Sequence, residues 1–119
     1  MHVNIRRFCL TLVACLCMSG SVSAIVRNPM IWADVPDPDV IRVGEYYYMV
    51  TTTMHLMPVA PIMRSKDFSN WETIGYLFDR LTDSPKYDME DGTVYGRGQW
   101  ATSLRYHKGT FYALFAPND

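Results

Sequence analysis

The sequence predicts an all-β fold of short antiparallel strands, and three observations carry that expectation. Aromatic runs such as "YYYMV" and "FYALF" recur behind glycine-containing links. No stretch past residue 24 keeps a helical apolar period over ten or more residues. Gly, Pro, Asp and Asn punctuate the chain at short intervals. The segment "VIRV", the pair Gly44 and Glu45, and then "YYYMVTT" form a hairpin, because a Gly-containing two-residue link suits the primed turns that match strand twist. A second hairpin, "SLRYHKGTFYALFA", sets Arg105 against Arg42 at an offset of 63 residues. Two more short strands lie between the copies, near "APIMRS" and "NWETIGY". A β unit recurring at that period reads as one four-stranded propeller blade and the start of a second.

Residues 1–24 stand apart. Arg6 and Arg7 supply a positive start, "FCLTLVACLCM" an apolar run of eleven residues, and "SVSA" the small residues that a signal peptidase reads, so the expected cut follows Ala24. The apolar run is too short to span a hydrocarbon core of about 30 Å as a helix. "LVAC" also resembles a lipobox, which would place lipid on Cys15 and tether the product to a membrane; otherwise no membrane partner is expected. The expected location is periplasmic or extracellular. Cys9, Cys15 and Cys17 all fall in this segment, so residues 25–119 have no disulfide and depend on core packing. They carry 9 basic and 12 acidic side chains, a net charge of −3, which provides no basic surface for nucleic acid.

"SKDFSNW" reads as a tight turn, with Ser65 and Asp67 bonding their own downstream backbone and Trp71 opening the next strand. Residues 79–98, "DRLTDSPKYDMEDGTVYGRG", are polar and rich in Gly and Asp, and read as a long surface loop of the kind that often carries function.

The chemistry points to "DVPDPDV", residues 34–40. Pro36 and Pro38 flank Asp37, and Pro38 bars it from the right-handed helical region, so its carboxylate is presented with little backbone freedom. That rigidity suits a general base holding a water, and equally suits turn punctuation ahead of a strand. Asp39 shares a strand face with Asp37 if both are extended, which would raise one carboxyl by like-charge repulsion; the alternative is a local Asx turn. Asp34, Asp37 and Asp39 make a poor calcium loop, since no Gly follows at the sharp turn and no Glu closes it. Neither a metal nor a cofactor is expected.

"NPMIWADVPDPDVIRVGEYYYMVTTT", "PIMRSKDFSNWETIGY" and "GQWATSLRYHKGTFYALF" together resemble the opening motifs of glycoside hydrolase family 43, the β-xylosidase and α-L-arabinofuranosidase group, over residues 28–117. The resemblance implies a five-bladed β-propeller that hydrolyses glycosidic bonds with inversion, with a carbohydrate as its partner. It makes Asp37 the general base and places Trp100 at the sugar-binding end of the channel, with Met54 and His55 nearby. A tryptophan opening a strand is otherwise a core residue, and His55 otherwise a solvated loop histidine. Asp39 stands where the family commonly has Ser, and Thr102 where it commonly has Pro.

Inversion needs a second carboxyl about 6.5–9.5 Å from the base. Glu45, Glu72 and Glu90 lie outside the motif that supplies the family's acid, which the resemblance places in later blades, beyond Asp119. The expectation is an N-terminal fragment, residues 25–119 covering about one and a half blades, that carries the base without the acid and is inactive alone. The competing readings are a non-catalytic carbohydrate-binding propeller and an unrelated exported β domain.

Overall fold

The computed structural model describes residues 27–118, so the expected signal segment and Cys15 lie outside the described residues. The chain is all-β. Strands β1 (Asp39–Val43), β2 (Tyr46–Val50), β3 (Val59–Ser65) and β4 (Glu72–Phe78) form one antiparallel meander in the order β1-β2-β3-β4. A two-residue strand β5 (Gly98–Gln99) pairs with β8 (Pro117–Asn118), and β6 (Ser103–His107) pairs with β7 (Thr110–Leu114) as a hairpin. Among the described residues no helix is long and apolar enough to cross a membrane.

Both expected hairpins are present, and their turns fix the register. Gly44 takes a φ of 61° between Val43 and Tyr46, while Lys108 and Gly109 take 47° and 87° between His107 and Thr110. The latter pair has the positive φ at both central positions that a type I′ turn requires. Matching turn to turn makes Ile41 the counterpart of Arg105, one residue away from the Arg42 pairing expected from sequence. A one-residue slip would exchange the faces of the strand, so the turn decides where likeness of side chains does not.

The third and fourth strands also follow the sequence, with one irregularity. Pro61 lies inside β3, which is flanked on both sides, but β2 pairs only from Ile62 onward. Its missing N–H therefore takes nothing from the β2 ladder. The register between β3 and β4 shifts at Ile62/Met63, and Ala60, at a φ of 49°, donates its N–H to Thr53 Oγ1 at 3.1 Å instead of to a strand. The turn after β3 is as expected. Asp67 Oδ1 accepts the N–H groups of Ser69 (2.9 Å) and Asn70 (2.8 Å), Ser65 Oγ accepts that of Phe68 (2.9 Å), and Trp71 Nε1 donates to the Phe68 carbonyl. Donation from Asn70 foremost, then from the Ser69 N–H and the Ser65 hydroxyl, holds the Asp67 carboxyl far below the usual carboxylate range.

Alternation along β2 sends side chains to two different layers. On one face Tyr47 meets Phe68 edge-on at 4.9 Å, and Phe68 meets Trp71 at 5.3 Å. Met30, Ile31, Val35 and Pro38 of the incoming segment border an apolar cleft on this side with Val40 and Met49. On the other face Tyr48 packs on Phe111 of β7 at 4.7 Å. The core lies here: Val50, Val59 and Ala60 join Leu104 of β6, and with them Leu81, Tyr87 and Val94.

Those last three anchor residues 79–98, which are otherwise mostly exposed as a surface loop, to the core. The loop includes a turn of 3₁₀ helix at Pro85–Asp88 that Ser84 caps by accepting the Lys86 N–H. Its polar residues face water while three apolar ones, spaced too irregularly to announce a period, fill the gap between the sheet and the second hairpin. Leu81 is 5% exposed. Leu81→Ala should therefore cost about 2–5 kcal/mol by denaturant unfolding, where a residue in a surface loop would cost within about 0.5 kcal/mol.

Candidate functional site

The four sequence-selected residues gather at one end of the first sheet, where β1 begins, β2 ends and β3 begins. Asp37 enters β1 at a φ of 47°, which is left-handed backbone and not the extended form expected. Pro38 disfavours only the right-handed helical well, and aspartate tolerates the left-handed one better than most residues. The strand consequently starts at Asp39, and the two carboxylates do not share a strand face.

Their partners confirm the separation. Thr52 Oγ1 donates to Asp37 Oδ2 at 3.1 Å, and the Pro36 carbonyl accepts from both Thr52 N (3.0 Å) and Thr51 Oγ1 (2.5 Å). Asp37 is exposed and has no other hydrogen-bond partner among the described residues, so its second oxygen is open to water. Asp39 instead accepts the Leu104 N–H at 2.8 Å and Arg105 Nη1 at 2.9 Å. The Leu104 amide first, then Arg105, holds the Asp39 carboxyl below the ordinary aspartate value, against the expected rise from like charge. Asp39 ties the first sheet to the second hairpin.

Met54 and His55 follow Thr52 and Thr53 on the β2–β3 connection, and a two-way backbone bridge fastens them to the strand β5 that leads to Trp100. Met54 N donates to the Gln99 carbonyl (3.0 Å) and Gln99 N to the Met54 carbonyl (2.8 Å). Gly98 lies so close that a Cβ there would come within 2.4 Å of the Met54 carbonyl oxygen, and its φ of 90° also suits glycine. His55 is not simply solvated. Its Nδ1 accepts the Gly96 N–H at 3.1 Å, which makes Nδ1 the acceptor and leaves the proton of the neutral ring on Nε2. Trp100 is 49% exposed and its Nε1 donates to the Gly96 carbonyl at 3.4 Å, so it is neither a core residue nor free.

Gln99 is the residue that sequence reasoning passed over. It is fully buried, and each end of its amide is occupied. Oε1 accepts from Thr53 N at 2.7 Å and Thr53 Oγ1 at 3.3 Å, while Nε2 donates to the Trp100 carbonyl and to Thr102 Oγ1 at 2.8 Å. One signal was present: a glutamine between Gly98 and a tryptophan, where the glycine marks a close backbone approach.

Asp34, Pro36, Thr52, Thr53, Met54, His55 and Leu56 border a cleft of about 260 Å³ at this end. Glu45 and Glu72 lie at the opposite end, the first in the β1–β2 turn and the second opening β4. Five strand residues span about 16 Å, beyond the reach an inverting acid requires. Both are also engaged, Glu45 with Lys66 at 3.7 Å and Glu72 with Arg64 at 2.6 Å. Among the described residues no three His, Cys, Asp or Glu side chains gather closely enough to hold a metal ion.

An all-β chain with an exposed, proline-flanked carboxylate next to a small cleft that carries carboxylate, hydroxyl and imidazole groups has the features of a site for a polar small molecule. The sequence profile of glycosyl hydrolases family 43 matches residues 26–119, and the chain belongs to that family. It is 44% identical over 85 residues to a β-xylosidase of Formosa agariphila and 41% identical over 88 residues to a non-reducing end α-L-arabinofuranosidase of Bacteroides ovatus. These alignments cover 71% and 74% of this chain but only 14% and 16% of the relatives, so the chain spans about a seventh of their length. Among solved structures, a bifunctional family 43 protein of Bacteroides eggerthii superposes with a TM-score of 0.70 at 47% identity, over 74% of this chain and 12% of that one. The family 43 protein of a Bacteroides ovatus xyloglucan locus superposes at 0.63 and 35% identity, over 78% and 18%.

The Asp39 tie has a pH sign. A carboxyl held below its ordinary value of 3.8 contributes stability that is complete above that pH and is lost as pH falls through the lower folded value. Asp39→Ala should speed exchange of the Leu104 amide at neutral pH and flatten that acid-side loss. Hydrogen-exchange NMR of Leu104 between pH 3 and 7 checks both.

Proposed function

We propose that these residues form the N-terminal part of an exported, inverting glycoside hydrolase acting on xylosides or arabinofuranosides, with Asp37 as the general base. The observation that carries this reading is the setting of Asp37. Its backbone is restrained by prolines on both sides, Thr52 holds one carboxylate oxygen, and the other is left for a water. A base held this way needs little ordering at the transition state. Family membership and the xylosidase and arabinofuranosidase relatives support the sugar class.

In this reading the β1–β4 sheet is the first blade of a five-bladed propeller and the β6–β7 hairpin begins the second. The exposed apolar side chains of the outer strands favour it: Ile74 and Phe78 on β4, Tyr112 and Leu114 on β7. Such faces are covered in a propeller by neighbouring elements. The general acid then belongs to a later blade of the whole protein, as the family resemblance implies; Glu45 and Glu72 are remote from Asp37 and ion-paired. Trp100, Met54 and His55 line the sugar end, the last as a donor through Nε2.

In the whole protein, Asp37→Asn should lower kcat by about 10²–10⁴-fold on aryl xyloside or arabinofuranoside while substrate affinity is kept, because shape is preserved. Asp39→Asn should change kcat far less, as that carboxylate is committed to Leu104 and Arg105. Equal losses for the two would overturn the assignment of the base.

Export is tested separately. Mass spectrometry of the secreted product should show Ile25 as its first residue, following the small residues that end at Ala24. Diacylglycerol on Cys15 would establish the tethered form instead.

A further inference from the structure

Tyr95 is 79% exposed, yet it is not a loose side chain. Its ring lies 4.7 Å from that of His55, tilted by 42°, and its N–H is taken by Thr93 Oγ1 at 3.2 Å. The next residue, Gly96, is held from both sides: its N–H by His55 Nδ1 and its carbonyl by Trp100 Nε1. The same loop is anchored below by Val94, which is fully buried in the core. Four successive positions are thus restrained so that one aromatic ring stands in water beside a cleft-lining histidine. Burying Tyr95 against the sheet would have hidden more apolar surface, so the arrangement forgoes that gain.

From these contacts, and resting on the sugar-cleaving reading above, the geometry points to Tyr95 as a stacking platform for one pyranose or furanose unit of the substrate. His55 backs the ring and offers Nε2–H to a hydroxyl of that unit. Asp34 borders the same cleft, and no hydrogen bond or ion pair engages its carboxylate among the described residues, so it is available to accept a second hydroxyl. A C–H face of a sugar on a rigid aromatic ring, with one donor and one acceptor at its edge, is the composition expected of a binding cleft that is mostly apolar with a few aimed polar groups. Tyr95 belongs to a loop, so it sets which oligosaccharides are held without touching the base at Asp37.

The test compares Tyr95→Leu with Tyr95→Trp in the whole protein. Leucine fills similar space without an aromatic face, and tryptophan restores one. Calorimetry with xylotetraose and with arabinose-decorated xylotetraose, on an Asp37→Asn background that prevents turnover, should show affinity falling roughly tenfold for Leu on at least one of the two and staying within about threefold for Trp. With Asp37 intact, the Leu loss should appear in KM, not in kcat. Equal binding by the Leu and Trp proteins, while the unsubstituted enzyme hydrolyses aryl xyloside or arabinofuranoside, would overturn the platform and leave the hydrolase reading standing. Absence of both hydrolysis and oligosaccharide binding in the unsubstituted protein would overturn the hydrolase reading and the platform with it. Unchanged melting temperature in both variants shows that a loss reports binding, as the exposure of Tyr95 leads one to expect.

Discussion

The buried amide of Gln99 is the constraint on which the arrangement around Asp37, Met54, His55 and Trp100 depends. Its two ends satisfy the Thr53 N–H on one side, and the Trp100 carbonyl and Thr102 hydroxyl on the other. The backbone of the same residue exchanges two hydrogen bonds with Met54. A buried N–H left unpaired costs about 1–3 kcal/mol, so the two segments are held in one relative position by the need to pair all of these groups at once. From that junction the chain runs in one direction to Thr52 and Thr51, which hold Pro36 and Asp37, and in the other to Trp100. The carboxylate and the aromatic residues therefore share one frame, although more than 60 positions separate Asp37 from Trp100.

Two further ties keep the second hairpin in place against the first sheet. Asp39 bridges from the start of β1 to the Leu104 amide and to Arg105, and the aromatic contact of Tyr48 with Phe111 lies on the same side. Between them the loop residues Leu81, Tyr87 and Val94 complete a core that neither the sheet nor the hairpin could close alone. Asp39 thus has a charged partner in Arg105 and a backbone partner in Leu104, and neither contact is shared with Asp37.

The two ends of the first sheet are specialised differently. At the end with the Gly44–Glu45 turn, Tyr46 lies under Arg64 at 4.6 Å and under Lys66 at 4.9 Å, and both cations reach nearby glutamates. Exposed pairs of this kind contribute little individually, and their carboxylates are committed. At the other end the carboxylates of Asp34 and Asp37 keep oxygens that no described residue engages, beside a cleft. The two ends of the sheet therefore differ in whether their carboxylates are occupied or available.

Much of this was legible in the sequence. Alternation, glycine turns and proline punctuation act over a few residues, so "VIRVGEYYYMV", "APIMRS" and "NWETIGY" declared their strands and "SKDFSNW" its turn. The same local logic singled out Asp37, because flanking prolines act on it directly. Tertiary structure alone decided the rest, since those outcomes depend on groups distant in sequence. Asp39 looked like a like-charge neighbour of Asp37 until Leu104 and Arg105 arrived to bind it. The left-handed φ of Asp37 was one of several torsions that Pro38 allows, and packing chose it. Residues 79–98 read as surface because three buried side chains among many polar ones leave no period, and only the space between sheet and hairpin gives Leu81, Tyr87 and Val94 a place to go. Gln99 had only the adjacent Gly98 as a local mark; Nε2 bonds its neighbours Trp100 and Thr102, but the donors to Oε1 come from Thr53, 46 residues earlier, and a polar side chain enters a core only when such partners are waiting.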